Sequence, residues 1–85
     1  MTVNLAPEEL THGRIVAGTG TIDSAGNVGA IGGIRQKIVA AEAAGAEVML
    51  IPAANLEEAL TANRRQLELI PVATLDDALA ALATL

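Results

Sequence analysis

The sequence predicts an α/β fold in which a β-hairpin is followed by repeating strand–helix units (βαβαβα) in a partly parallel sheet. Three observations lead to this prediction: two short apolar runs joined by a glycine-containing turn, a helical segment bounded by glycines, and an internal repeat. Strands that alternate with helices favour parallel pairing, because each helix carries the chain back across the sheet before the next strand begins.

The hairpin is predicted from two apolar runs, residues 15–22 and 28–31, and from the connection Asp23-Ser-Ala-Gly-Asn27 between them. A short polar connection that contains glycine is typical of a β-hairpin. Ser24 is interpreted as a turn residue, because short polar side chains bond to nearby backbone groups in turns. Ser24 is the sole serine, but its spacing from His12 and Asp23 indicates no catalytic relay.

The first helix is predicted to begin after the Gly32-Gly33 pair and to run to about Ala44. Gly45 follows where a left-handed C-terminal cap is expected. On a wheel of 3.6 residues per turn, the apolar stripe of this helix consists of Ile34, Ile38, Ala41 and Gly45.

Lys37 stands apart from the other charges of this helix. Arg35 and Glu42 fall together on one polar side, whereas Lys37 lies on an arc that otherwise consists of Ala40, Ala41 and Ala44. An amine desolvated by small apolar neighbours can be neutral near neutral pH and accept a proton from a hydroxyl. The alternative is that Lys37 extends its ammonium along an apolar face to water.

The internal repeat aligns residues 48–60 with residues 67–79 without a gap. Each copy reads as a strand, a proline that ends the strand or lies at a sheet edge, a loop, a cap and a helix. Asn55 and Thr74 occupy the N-cap positions, and each is followed three residues later by an acidic residue. We interpret the repeat as two strand–helix units with the same local requirements, not as a duplicated function.

Composition excludes several classes of function. A net charge of −5 with only five basic residues argues against a nucleic-acid partner. Without cysteine there is no disulfide or thiolate zinc site, and the lone His12 cannot form a metal site by itself, so no metal or cofactor is expected. The chain shows no signal peptide and no apolar run of the ~20 residues a membrane helix needs, so we expect a soluble chain without membrane contact.

Residues 18–45 carry a Thr-Gly pair, a hairpin, a Gly-Gly pair and a lysine-bearing helix, and this order is similar to a stretch of the Lon-type (S16) serine protease domain. The similarity continues through residues 50–52, Asn55 and residues 71–82, so it covers nearly everything after Thr11. The chain therefore resembles the C-terminal part of a Lon-type proteolytic domain, and the fold class implied is that of a fragment of this domain.

The resemblance implies a peptidase that hydrolyses polypeptide substrates with a Ser–Lys catalytic dyad. Lys37 falls on the lysine of that dyad, and Thr19 falls on a threonine near it. The family's serine lies in a Pro-Ser-Ala-Gly motif, which is expected to precede Met1, so the isolated chain is expected to be inactive. Ser24-Ala-Gly imitates part of the motif but follows Thr19, which is the wrong order for the family.

Two finer expectations rest on the same resemblance. The stretches Gly18-Thr-Gly-Thr-Ile-Asp23 and Ile34-Arg-Gln-Lys37 look more like the bacterial type that couples a PDZ domain to the protease. That type implies a membrane-anchored parent with its protease domain outside the cytoplasm; ATP-dependent cytoplasmic Lon is the alternative. Leu56 departs from the PDZ-linked type, which often has cysteine there.

The chain contains no Phe, Trp or Tyr, so its core must be built from small aliphatic residues. Such a chain is expected to pack against additional protein, namely the missing N-terminal segment of the protease domain. Without that segment, self-association through Ile34, Ile38 or nearby strand residues is expected.

Two other classes of function stay open at this point. The first is a nucleotide-binding module, because residues 29–33 are glycine-rich and precede a helix whose N-terminus could hold an anion. Neither this run nor Gly18-Thr-Gly20 matches a P-loop, which ends in Gly-Lys followed by Ser or Thr. The second is a non-catalytic structural or interaction fragment.

Overall fold

The structure is a computed structural model that describes residues 15–85; His12 and the other residues before position 15 lie outside it. A three-stranded parallel sheet and a two-stranded antiparallel hairpin combine with helices, so the predicted mixed α/β class with a parallel sheet is confirmed. The elements are β1 (Val16–Gly18), β2 (Thr21–Ile22), β3 (Val28–Gly29), α1 (Ile34–Ala43), β4 (Val48–Pro52), α2 (Leu56–Ala59), β5 (Glu68–Val72) and α3 (Leu75–Ala83). No helix within residues 15–85 has the length and apolar character needed to cross a membrane.

The single strand predicted at residues 15–22 is wrong, because the structure divides it between two sheets. β1 pairs in parallel with β4, and β2 pairs in antiparallel fashion with β3 to make the short hairpin. The chain changes direction at Gly20, where an added Cβ would lie 3.0 Å from Val28 Cγ1 and 3.4 Å from Pro52 Cγ. Only glycine therefore lets the hairpin approach the end of the sheet this closely.

The hairpin turn is organised by the carboxylate of Asp23. Its Oδ1 accepts hydrogen bonds from the backbone N–H groups of Ala25 and Asn27, both at 2.9 Å, and its Oδ2 accepts one from Asn27 Nδ2 at 3.1 Å. The bonds from Asn27 are the main reason that the pKa of Asp23 is lowered. Ser24 is an exposed residue of this turn, as the sequence predicts.

α1 has the bounds that its flanking glycines predict. Gly33 is the N-cap, with φ at 69°, and no side chain caps this end. After the helix, Gly45 is left-handed with φ at 94°. The N–H of Gly45 donates to Glu42 O, and the N–H of Ala46 donates to Ala41 O, both at 3.0 Å. This pair of bonds is a Schellman motif, so the predicted left-handed cap is confirmed.

The two isoleucines of the apolar stripe of α1 are buried within the chain, whereas Ala41 is half-buried and Gly45 is exposed. Ile34 and Ile38 are each 0% exposed and pack in a cluster with Met49, Ile51, Ala59 and Leu67. The prediction that Ile34 or Ile38 would meet another molecule is therefore wrong. β4, α2 and Leu67, the residue before β5, already provide the cover that was expected to come from absent protein.

The two copies of the repeat use opposite faces of the sheet. The strand order is β1-β4-β5, and Val48 pairs with Glu68, a separation of 20 residues, whereas the repeat aligns Val48 with Leu67. Because side chains alternate between faces, a one-residue difference in register moves equivalent residues to opposite sides. α2 therefore packs beside α1 through Ala59, whereas α3 packs on the other face through Ala78.

The second cap of the repeat behaves as its sequence predicts. Thr74 Oγ1 accepts a hydrogen bond from the N–H of Asp77 at 3.1 Å, and Asp77 Oδ2 accepts one from the N–H of Thr74 at 3.1 Å. These reciprocal bonds form a capping box at the start of α3. Pro71 lies in β5, which is an edge strand as expected for an internal proline, and Pro52 is the last residue of β4.

Candidate functional site

Thr19 lies directly after β1, at the carboxyl end of the parallel sheet. Its N–H donates to Leu50 O at 3.2 Å, which extends the ladder between β1 and β4 by one residue. Thr19 lies outside β1, and it lines a cavity with Leu50, Val72 and Ala78, which belong to the cluster on the α3 side of the sheet. Thr19 is 7% exposed, and its Oγ1 has no hydrogen-bond partner among residues 15–85. A buried hydroxyl without a partner is costly and requires an explanation.

Lys37 lies in the second turn of α1, where its N–H donates to Gly33 O at 3.1 Å. Because α1 connects β1 to the parallel neighbour β4, it runs back across the sheet and begins at the edge where β1 ends. The starting end of α1 and Thr19 therefore lie toward the same end of the sheet. No hydrogen bond joins the side chains of Lys37 and Thr19 in the described part of the chain.

The side chain of Lys37 is exposed, and so are Ala40 and Ala44 on the arc that it shares. Within residues 15–85, Lys37 forms no ion pair, and its ammonium takes part in no hydrogen bond. Its own helix therefore does not supply the apolar surroundings that the wheel suggests. Desolvation of this amine requires a further segment packed over the exposed arc.

Asn55 departs from the cap role predicted for it. It ends the 3₁₀ turn Ala53–Asn55, and its side chain makes no cap hydrogen bond to α2. Instead, Asn55 Oδ1 accepts from the N–H of Ile31 and Asn55 Nδ2 donates to the carbonyl of Ile31, both at 3.0 Å. Asn55 is only 5% exposed. This contact was not predicted from the sequence. The signal that could have indicated it is an amide at position 55 where the second copy has Thr74, because an amide has separate donor and acceptor atoms that can pair with the N–H and the carbonyl of one residue.

Glu42 bonds to another loop, although the helical wheel placed it on the polar side of α1 beside Arg35. Its carboxylate accepts hydrogen bonds from the backbone N–H groups of Arg65, Gln66 and Leu67 at 2.9–3.0 Å. These bonds, with the one from Gln66 foremost, lower the pKa of Glu42. Arg35, the expected neighbour of Glu42, instead lies 3.9 Å from a carboxylate oxygen of Glu58 in an exposed ion pair.

An apolar cavity of about 70 Å³ lies between the hairpin, the sheet and α3, and Thr19 contributes to its wall. Its other lining residues are Gly18, Gly20, Ile22, Val28, Leu50, Val72, Leu75 and Ala78. In residues 15–85, no three side chains of the metal-ligating kind come together. The residues that could take part in a reaction are therefore Thr19 and Lys37. Asn55 lies between the sheet and the start of α1.

The sequence matches the family described as the Lon protease (S16) C-terminal proteolytic domain over residues 4–84. The chain belongs to this family. No curated protein sequence gives a significant match. Family membership confirms the Lon-type protease domain expected from the order of motifs, and it implies that the substrate of this Lon-type domain is a polypeptide.

Proposed function

We propose that this Lon-type chain supplies the general base, Lys37, and a supporting hydroxyl, Thr19, to a Ser–Lys peptidase. The nucleophilic serine belongs to a segment outside residues 15–85 that packs against the exposed arc of α1. The observation that carries the proposal is the buried Thr19 hydroxyl, which has no partner within residues 15–85 and lies at the end of the sheet where α1 begins.

The chemistry follows from an amine placed next to a serine. The neutral Lys37 Nζ accepts the proton of the serine hydroxyl as the serine oxygen attacks the carbonyl carbon of the scissile peptide bond. The resulting ammonium gives this proton to the departing amine, which leaves an acyl-enzyme. A water molecule then attacks the ester, with Lys37 accepting the water proton and returning it to the serine oxygen.

Thr19 has a supporting role in this scheme. Its hydroxyl has a lone pair that can accept from the Lys37 ammonium and a proton that can be donated to the serine oxygen. Either bond would satisfy a group that is now buried without a partner, and it would orient the amine toward the nucleophile. The additional segment would also exclude bulk water from Lys37 and from the reacting serine.

Thr19→Val tests this assignment because stability and activity should move in opposite directions. Valine has the shape of threonine without the hydroxyl, so the variant should stabilise the isolated chain by roughly 1 kcal/mol, since the unsatisfied polar group is removed. In a polypeptide that also contains the serine segment, the same change should lower kcat. Thr19→Ser, which keeps the hydroxyl, should retain most of the activity. Parental kcat in Thr19→Val, with no stabilisation of the chain, would refute the role of Thr19.

The isolated chain should hydrolyse no peptide bond, because a base without its nucleophile has nothing to activate. Incubation of the purified chain with an unfolded protein substrate should release no peptides, whereas the polypeptide that includes the serine segment should do so. Proteolysis by the isolated chain that disappears in Lys37→Ala would overturn the requirement for an external serine.

The stretches Gly18-Thr-Gly-Thr-Ile-Asp23 and Ile34-Arg-Gln-Lys37 support a finer proposal, that the parent is of the bacterial PDZ-linked type, anchored in a membrane with its protease outside the cytoplasm. Leu56 speaks against this subtype because cysteine often stands there. The ATP-dependent type is the alternative, and the coding sequence upstream of Met1 distinguishes a PDZ domain from an ATPase.

A further inference from the structure

The segment that leads into α1 is held by a side chain from a different part of the chain. Asn55 follows β4, yet its amide bonds to both the N–H and the carbonyl of Ile31, 24 residues earlier. A strand partner would satisfy the same two groups of one residue in this way. The clamp is buried, since Asn55 is 5% exposed, so water competes little for these bonds.

Apart from the packing of the Ile31 side chain against the cluster under α1, the segment between β3 and α1 has few other means of holding its position. An added Cβ at Gly32 would meet no atom within 4 Å, so the backbone there is in open space. Gly33 is left-handed and provides no side-chain cap to the helix. Within residues 15–85, the two bonds from Asn55 are the only side-chain hydrogen bonds to residues 30–33.

Lys37 is connected to this clamp through a short chain of backbone. Ile31 is held by Asn55, Gly33 follows two residues later, and the carbonyl of Gly33 accepts the N–H of Lys37 at 3.1 Å. A shift of the segment that contains Ile31 therefore moves the first turn of α1 along the sheet edge. Such a shift changes the distance between the Lys37 amine and a nucleophile on the neighbouring segment.

We infer that Asn55 is a positioning residue for Lys37, one that sets the place of the amine at the sheet edge without touching substrate. The inference rests on the proposed function of Lys37. A misplacement of about 1 Å in a catalytic group can cost roughly 100-fold in rate, so loss of the clamp is expected to act on kcat. Asn55→Ala removes both bonds. Asn55→Asp keeps an acceptor for the Ile31 N–H and sets an anion against the Ile31 carbonyl.

The test uses the polypeptide that contains both this chain and the serine segment, with Thr74→Ala as the matched control. Thr74 caps α3 on the opposite face of the sheet, so its replacement removes a helix cap without touching the segment before α1. Asn55→Ala should lower kcat roughly 10- to 100-fold with little change in KM, and Asn55→Asp should lower it at least as much, because a buried anion then faces the Ile31 carbonyl. Thr74→Ala should leave kcat within about twofold, because it affects stability alone.

The outcomes separate this inference from the function on which it rests. If Lys37→Ala keeps parental turnover, the proposed function fails. If Lys37→Ala is inactive but Asn55→Ala has the same kcat as Thr74→Ala, the dyad stands and the positioning role of Asn55 is overturned. Should Asn55→Ala not fold, Asn55→Ser decides by the same comparison with Thr74→Ala, because its neutral hydroxyl can keep one bond of the clamp without burying a charge.

Discussion

Lys37→Ala should lower peptide hydrolysis by roughly 10²- to 10⁴-fold in the polypeptide that contains the serine segment, the range expected when a general base is removed. The fold should be unaffected, because Lys37 is exposed and alanine is the best helix former. The free energy of unfolding should therefore change by less than about 0.5 kcal/mol. Peptide release and urea denaturation, measured on the same preparations, give the two quantities.

Lys37→Arg distinguishes a base from a positive charge at this position. A guanidinium keeps the charge but does not lose its proton in proteins, so this variant should be as inactive as Lys37→Ala. Arg35→Ala is the matched control: Arg35 is an exposed cation two residues earlier on α1, and its ion pair with Glu58 is exposed. It should retain full activity. Substantial turnover by Lys37→Arg would mean that Lys37 acts through its charge and not as a base.

Ile38→Ala should destabilise the chain by roughly 2–5 kcal/mol, because it removes a fully buried side chain from a packed cluster. Small domains have total stabilities of about 5–15 kcal/mol, so this change should leave a sizeable unfolded fraction. With no aromatic residue in the chain, the unfolding transition is best followed by far-ultraviolet circular dichroism during urea titration.

Val39→Ala is the control for this prediction, since Val39 is the next residue of α1 and is 49% exposed. It should change the free energy of unfolding by less than about 1 kcal/mol, because little apolar area is lost. Equal losses in the two variants would mean that Ile38 is not buried by β4 and α2, and that α1 needs cover from another molecule after all.

Local signals in the sequence predicted the features that depend on local structure. The bounds of α1 follow from Gly33 and Gly45, because glycine readily adopts the left-handed backbone conformation found at each end of the helix. The capping box of Thr74 and Asp77 and the turn role of Ser24 were predicted for the same reason. The roles proposed for Thr19 and Lys37 came from the family resemblance, since the helical wheel left Lys37 open between a base and an exposed ammonium and Thr19 carries no signal of its own.

Features that depend on how distant segments meet could not be predicted from the sequence. The repeat gives residues 48–60 and 67–79 the same local elements, but their faces depend on a one-residue offset in strand register. The division of residues 15–22 between two sheets depends on the fit of Gly20 against Val28 and Pro52. The contact of Asn55 with Ile31 spans 24 residues, and no local pattern distinguishes it from a helix cap.

α1 is tied by hydrogen bonds to other loops at both of its ends. Asn55 ties the segment before the helix to the turn after β4, and Glu42 near its other end holds the amides of residues 65–67. Loop lengths around this helix are therefore coupled to its placement. An insertion at residues 53–55 or 65–67 should be transmitted to Lys37, whereas one at the exposed Ser24-Ala25 pair reaches only the hairpin tip.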